Sequence, residues 1–424
     1  MATPTSLAGW LDYIERLHPQ SIALGLERVN RVRRALGLVP DFPVITVGGT
    51  NGKGSVCGLL EAVLHQAGYR VGCYTSPHLL RYNERVRIGR GDASDDDLVR
   101  AFTAVESARN EVPLTYFEMG TLAAMWLFAE RRVEAAVLEV GLGGRLDAVN
   151  VFDADCAVVT TVDIDHVDFL GSDREAIGRE KAGIFRAGRP AVCGDSDPPA
   201  SLLRHAAQIE APLLRIGVDF GATERDRQWQ YWGPRGKRSA LPHPALRGTP
   251  QLANAAVALT ALDCVRERLP VNMNDIRGGL LMVEARGRFE VLPGRPRVIL
   301  DVAHNPHAAR TLAASLGALA GDRRTLAVFA MLRDKDISGV VAALKPAVDH
   351  WFIAPLGGSR GADVAALREA LETAAVAAIT DCAGVAEAYS QACDMAAEND
   401  RIMVFGSFYT VASVMQFRAS RARR

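Results

Sequence analysis

Lys53 and Ser55 stand in the run GGTNGKGS, where Gly48, Gly49, Gly52 and Gly54 surround one ammonium group and one hydroxyl. These residue types at this spacing suit a polyphosphate. Glycines let the backbone aim its amides at an anion, lysine neutralises charge, and a serine hydroxyl at a helix start can reach Mg²⁺. The run departs from a strict Walker A sequence, because Val47 stands where the first glycine would be and Gly54 separates Lys53 from Ser55. A glycine turn without a ligand is the competing reading. Glu139 ends the apolar run VEAAVLE. A charged carboxylate there is costly unless paired or bound to metal, so Glu139 is a candidate Mg²⁺ ligand, with a salt bridge to a neighbour such as Arg145 as the alternative. Asp163, Asp165, His166 and Asp168 gather after CAVVTT, and Asp301, His304 and Asn305 follow RVIL. A helix cap by Asn305 would also account for the latter. Lys181 falls on a charged run where a lysine is ordinarily solvated, and Asn254 on a mostly alanine surface where a lone amide needs a polar partner.

Strands and helices must bring these groups together. Val44 to Val47 has the character of a strand shielded on both faces, and VCGLLEAVLHQAG carries apolar residues at helical spacing. The loop therefore empties into a helix whose positive end faces the same point. Two helices precede it, one through Leu7, Trp10, Leu11, Ile14 and Leu17 and a second over Ile22–Leu36. After it come a strand RVGCYT, an irregular turn at Ser76-Pro77-His78 that could lie over the phosphates, and another short strand. Ser94 with Asp97 predicts a capping box for a helix reaching about Arg109. TYFEMGTLAAMWLFAERR is a strongly apolar helix with Phe117 at its start, facing either a ligand or the core. Strand and helix alternation continues through PAVCGD, a helix near 198–209, PLLRIG, a hairpin-like DRQWQYWGPRGKR and the helix TPQLANAAVALTALDCV. Polar residues just past strand ends are where doubly wound sheets place ligands.

EARGRFEVLPGRPR concentrates Gly, Pro and Arg, which puts a domain boundary and a plausible hinge there, with domains 1–285 and 286–424. Beyond it RVIL, TLAVFAM, HWFIAP, AAIT and RIMVFG read as strands of a second, smaller doubly wound domain. Two domains are also what a 424-residue chain leads one to expect. Lys plus Arg and Asp plus Glu both number 49, which leaves no field to attract nucleic acid or anionic lipid. The seven cysteines form no CxxC pair, no apolar run spans a membrane, and the N-terminus lacks a basic-then-apolar leader. A soluble cytoplasmic protein with reduced thiols, no nucleic-acid or membrane partner and a monomeric state is the expectation.

GTNGKGS, TSPHLLRYNERVRI, LEVGLGGRLDAVN, DHVDFLG, EKAGIF, GRFE, DVAHNP and FGSF occur in that order, and with LHPQSIALGLERV near the N-terminus they run almost end to end. The set resembles the folylpolyglutamate synthases and dihydrofolate synthases of the Mur ligase superfamily. That resemblance implies an α/β chain: an N-terminal P-loop ATPase domain with a mostly parallel sheet, a smaller C-terminal Rossmann-like domain, and ATP in the cleft. It implies that Gly49, Thr50, Asn51, Gly52, Lys53, Gly54 and Ser55 wrap the phosphates, with Ser55, Ser76 and Glu139 on one Mg²⁺. His166 and Lys181 look like ligands of a second Mg²⁺, the lysine as a carbamate. Asn254, Arg288, Asp301 and His304 match nucleotide contacts, and Thr115, Phe117, Arg145, Asp147 and Ala148 match contacts of the pterin substrate. The implied reaction joins L-glutamate to dihydropteroate and to the γ-carboxylate of reduced folates through an acyl phosphate, with Lys53, Glu139, His166 and Lys181 catalytic. The early LHPQSIALGLERV segment resembles the bifunctional type, with the monofunctional folylpolyglutamate synthase as the alternative. A cell-wall Mur ligase would be expected to carry an extra N-terminal domain ahead of its phosphate loop. A non-catalytic nucleotide-binding module would have no use for Glu139, His166 and Lys181 crowded at strand ends.

Overall fold

A computed structural model describes residues 4–20, 22–225, 228–319, 321 and 323–422. Met1 to Thr3, Ser21 of the LHPQSIALGLERV segment, and Asp226 and Arg227 at the start of the hairpin-like run lie outside the described residues. Contacts along the chain divide it into two units, Met1–Ala245 with Leu252–Glu284, and Leu246–Gln251 with Ala285–Arg424.

The strands of the first unit are β1 (Val44–Gly48), β2 (Val71–Tyr74), β3 (Val86–Ile88), β4 (Gly91–Asp92), β5 (Ala135–Glu139), β6 (Cys156–Val159), β7 (Ala191–Cys193) and β8 (Leu213–Arg215), followed by β9 (Gly221–Arg225), β10 (Gln228–Gly233) and β11 (Gly236–Pro242). The first eight form one sheet in the order β4-β3-β2-β5-β1-β6-β7-β8, and the last three a separate antiparallel sheet. Strands β2, β5, β1, β6, β7 and β8 run parallel, and β1, β5 and β6 are buried throughout, as near-continuous Val, Ala, Leu and Cys require of central parallel strands. At one edge β3 pairs antiparallel with β2, and β4 antiparallel with β3. Because β1 lies between β5 and β6, with Val47 opposite Glu139 and Gly48 opposite Val159, the turns leaving all three strands share one edge. That edge is the topological switch point of the sheet.

Helices of this unit are α1 (Leu7–Glu15), α2 (Glu27–Ala35), α3 (Lys53–Gln66), α4 (Asp95–Arg109), α5 (Tyr116–Glu130), α6 (Val167–Leu170), α7 (Arg174–Ala182), α8 (Ala200–Gln208), most of α9 (Gln251–Cys264), and α10 (Met273–Met282). The second helix begins later than its apolar pattern suggests. Gly25 has φ +136° and its N–H donates to the Leu146 carbonyl at 3.4 Å, so the chain arrives at Glu27 extended rather than coiled. At α4 the box is half made: Ser94 accepts the Asp97 N–H, but the Asp97 carboxylate turns to Arg100 and Arg131. The full box forms at α5, where Thr115 and Glu118 exchange backbone and side-chain bonds, a cap contributing about 1 kcal/mol. Helix α10 was not anticipated, although Asn272 and Asp275 form a capping box ahead of it. Gly279 on α10 admits close approach to α3, since a Cβ there would lie 2.5 Å from a Val63 methyl.

The second unit holds β12 (Glu290–Leu292), β13 (Arg297–Leu300), β14 (Thr325–Phe329), β15 (His350–Ile353), β16 (Ile379–Asp381) and β17 (Arg401–Phe405), in the order β12-β13-β17-β14-β15-β16. All pair in parallel except the edge strand β12, which the sequence reading also missed. Helices α11 (Pro306–Gly317), α12 (Ile337–Leu344), α13 (Val364–Thr373), α14 (Val385–Met395) and α15 (Phe408–Ala422) complete it. Phe329 stacks on Phe405 at 4.8 Å and meets Trp351 edge-on at its centre. The seven cysteines are free, and among the described residues no helix is long and apolar enough to cross a membrane.

Candidate active site

The phosphate-loop run forms the turn from β1 into α3. Gly49 has φ +138° and a Cβ there would stand 1.9 Å from the Thr160 hydroxyl, so only glycine is accommodated where β1 and β6 part. Gly52 has φ +89°, and a Cβ on it would meet the Asn254 side-chain oxygen at 2.9 Å, which places the buried Asn254 amide of α9 against the loop. The turn after β6 holds the loop in shape. The Thr50 hydroxyl exchanges bonds with the Asp163 backbone at 3.0 Å, the Thr50 N–H donates to the Thr161 carbonyl at 2.7 Å, and the Thr160 hydroxyl donates to the Asn51 carbonyl at 2.6 Å. Lys53 Nζ curls back to the carbonyls of Gly49 and Thr50 at 3.0 and 3.1 Å. The N-cap of α3 is Gly52, which has no side chain with which to cap the first turn, and the positive end of the helix faces the hollow of the loop.

Glu139 ends β5 at 2% exposure, and its Oε2 accepts the Ser76 N–H at 3.0 Å. The anticipated alternative partner is elsewhere, because Arg145 reaches Glu180 of α7 at 2.8 Å. No basic side chain pairs with Glu139 among the described residues. A buried carboxylate beside Ser76, on the strand next to the one that leads to Ser55, fits a hard divalent cation with oxygen ligands. Lys181 also differs from its sequence reading. It is 4% exposed rather than solvated, since α7 turns this side chain inward. Burial, and then the Lys53 charge, lower its pKa to about 7, while Asp165 and Asp147 oppose the shift. An amine with that pKa is largely neutral in mildly alkaline solution, as reaction with CO₂ requires. His166 caps α6 in a left-handed conformation, φ +53°, with its N–H on the Asp165 carboxylate at 2.8 Å.

The turn after β5 meets the start of α5. A Cβ on Gly141 would lie 2.7 Å from the Phe117 ring, and Phe117 is half-buried 5.8 Å from Tyr74. Thr115 is the α5 cap, and Ala148 is buried. Asp147 is buried too, and its carboxylate accepts the N–H groups of Leu142 and Val149 at 2.8 and 3.0 Å. Burial raises its pKa to about 7 against those amides and the Lys53 charge. In the second unit, the Asp301 carboxylate accepts the N–H groups of Phe289 and Ala303, both at 2.8 Å, and burial raises its pKa. His304 Nδ1 bonds the Val302 carbonyl at 2.8 Å, and its ring lies 6.4 Å from that of Phe408. The Arg288 guanidinium lies 5.2 Å over the same ring, with a buried Nη1 that no acceptor meets among the described residues. A buried donor without a partner is costly in a protein alone and suits an anion brought by a ligand. Asn305 does cap α11, accepting the Ala308 N–H at 2.8 Å.

Sequence reasoning passed over Thr160 and Thr161, which hold the loop, and the pair Arg28 and Glu118, joined at 3.0 Å, which ties the Ala23 carbonyl to α5. Two threonines directly after a buried strand were the available signal for the former.

Residues 47–262 match the Mur ligase middle domain and residues 287–408 the Mur ligase glutamate ligase domain. The dihydrofolate synthase/folylpolyglutamate synthase of Escherichia coli K12 is 47% identical over 411 residues, 97% of this chain and 95% of that protein. The Haemophilus influenzae protein of the same name is 42% identical over 96% of both chains. Among solved structures, E. coli FolC in complex with DHPP and ADP superposes with a TM-score of 0.95 at 46% identity, covering 100% of both chains. A bifunctional folylpolyglutamate synthase/dihydrofolate synthase with Mn, AMPPNP and L-glutamate bound has a TM-score of 0.92 at 45% identity, covering 99% of this chain and all of that one.

Proposed function

The chain belongs to the dihydrofolate synthase/folylpolyglutamate synthase family of Mur ligases, and from that premise we infer the reaction its residues carry out. It is an ATP-dependent ligase of L-glutamate. The acceptor acids are dihydropteroate and the γ-carboxylate of reduced folates, and the enzyme acts as a cytoplasmic monomer. The observation that carries the site assignment is Glu139, a buried carboxylate beside the phosphate loop with the Ser76 amide on it and no basic partner among the described residues.

Amide formation needs a carboxylate oxygen turned into a leaving group. The amides of Gly49 to Ser55 and the Lys53 ammonium hold the ATP phosphates, so that the acceptor carboxylate attacks the γ-phosphorus and ADP departs, leaving an acyl phosphate. Mg²⁺ held by Ser55, Ser76 and Glu139 would supply charge neutralisation on the phosphate oxygens, and a second ion at His166 and carbamylated Lys181 would do so at the carbonyl under attack. The glutamate amine then displaces phosphate from the acyl carbon. Asn254, which packs against Gly52, contacts the nucleotide, as do Arg288, Asp301 and His304. Phe117 and the Arg145–Ala148 turn, with Thr115 fixing the start of α5, receive the pterin portion. ADP release measured with dihydropteroate and with tetrahydrofolate, each with L-glutamate, tests this reading. Release with both is expected; release with tetrahydrofolate alone would make the enzyme monofunctional, and release with neither would overturn the ligase reading.

The Lys181 carbamate forms when the neutral amine attacks CO₂ and loses a proton. With a pKa near 7 the neutral form prevails from about pH 7 upward instead of only near the ordinary lysine value. Activity in CO₂-depleted buffer is therefore expected to fall several-fold and to return with bicarbonate, more completely at pH 8 than at pH 6.5. Mass spectrometry should find the added carboxylate; an unmodified lysine in a fully active enzyme would refute it.

A further inference from the structure

Arg87 has no part in the scheme above, yet all five of its N–H donors are engaged. It lies on β3 opposite Cys73 of β2. Its Nε and Nη2 fork onto the Glu61 carboxylate of α3 at 2.8 to 3.1 Å. Nη1 donates to the Thr75 hydroxyl at 3.1 Å and the Glu84 carbonyl at 3.0 Å, and Nη2 reaches Cys73 Sγ at 3.2 Å. The Glu84 carboxylate in turn accepts the N–H groups of Leu79, Leu80 and Arg81, closing the loop that begins at Ser76. Thr75 immediately precedes Ser76, and Glu61 lies less than two helical turns beyond Ser55.

One guanidinium thus joins the helix that begins at Lys53 and Ser55 to the turn that carries Ser76. The thiols of Cys57 and Cys73 nearby stay neutral, chiefly because burial raises their pKa values, so Glu61 is the charge that holds Arg87. A buried ion pair is poor at adding stability compared with well-packed apolar residues, and what this geometry offers instead is fixed spacing.

We propose that Arg87 and Glu61 are positioning residues that set the separation of the Ser55 and Ser76 hydroxyls for a divalent cation. The proposal rests on the assignment of Ser76 to the metal site. The test uses the full-length enzyme with Mn²⁺ and the non-hydrolysable analogue AMPPNP. Mn²⁺ affinity is read by electron paramagnetic resonance, beside thermal unfolding and the dihydropteroate KM. In the Glu61→Leu/Arg87→Met double variant, which leaves no unpaired buried charge, Mn²⁺ affinity is expected to fall about tenfold, the usual cost of losing a residue that orients metal ligands. Its dihydropteroate KM and thermal midpoint should stay near the parental values. Ser76→Ala should also bind Mn²⁺ more weakly; parental affinity there would overturn the metal assignment and the proposal with it. Weakened binding in Ser76→Ala beside parental affinity in the folded double variant would overturn the clamp alone. Should the double variant not fold, Arg87→Lys must show the weakening, because it keeps the charge and loses the fork, and parental affinity in it would equally overturn the proposal.

Discussion

Lys53→Ala is expected to lower kcat by about a thousandfold, with a circular dichroism spectrum and thermal midpoint close to those of the parent. Loss of one preorganised charge facing the transferred phosphoryl group costs on the order of 10²–10³. The side chain has little to do with holding the fold, since Nζ bonds the carbonyls of its own loop, Gly49 and Thr50. The shape of the loop is fixed from the other side, by Thr50, Thr160 and Thr161. A second consequence follows from charge. Lys53 is one of the groups that lower the Lys181 pKa, so its removal lets that pKa rise and leaves less neutral amine for CO₂. The variant should therefore need more bicarbonate to reach its residual rate. Steady-state ADP release against bicarbonate concentration measures both effects, and turnover at the parental rate would remove Lys53 from the phosphate site.

Glu139→Gln is the second large effect. The amide keeps an oxygen for the Ser76 N–H, so the turn after β2 has no reason to move. What disappears is a negative charge buried to 2% exposure with no basic partner among the described residues. Burying such a charge costs stability in the metal-free protein, so the variant should melt at the same temperature or higher without Mg²⁺. Its activity should fall about 10²-fold or more, and its Mg²⁺ requirement should rise, because a neutral oxygen is a weaker ligand for a hard dication. A Mg²⁺ titration of rate beside thermal unfolding with and without metal separates the two. Lost stability in the metal-free variant together with an unchanged Mg²⁺ requirement would make Glu139 a structural group.

The sheet edge that gathers these groups was legible from the chain because β1, β5 and β6 are short apolar runs, each followed by glycine, carboxylate or hydroxyl residues. Both parallel sheets are written in the same way. Antiparallel additions were less visible: β4 is two residues long, and β9 and β12 lack the unbroken apolar run of a central strand. The burial of Lys181 was hidden for a different reason. REAIGREKA is as polar as a solvated helix, and which of its faces meets the sheet is decided by the Gly144 and Gly183 contacts, where a Cβ would strike the α7 backbone and Arg145 respectively. Glu139 was singled out by its apolar neighbours, but its partner could not be: Arg145, directly after two glycines, turned toward Glu180. Arg87 looked like one basic residue in a strand, and its Glu61 partner is 26 residues away on another element.

The central claim is that the turn after β1 holds the phosphates of ATP while Ser55, Ser76 and Glu139 hold its metal. Diffraction from crystals grown with AMPPNP and Mn²⁺, with data collected to locate manganese by its anomalous signal, tests this most directly. The account predicts the triphosphate against the amides of Gly49 to Ser55 and a manganese peak within about 2.5 Å of a Glu139 carboxylate oxygen or of a water bound to it. A nucleotide lodged elsewhere, or a manganese peak away from Ser55, Ser76 and Glu139, would contradict it.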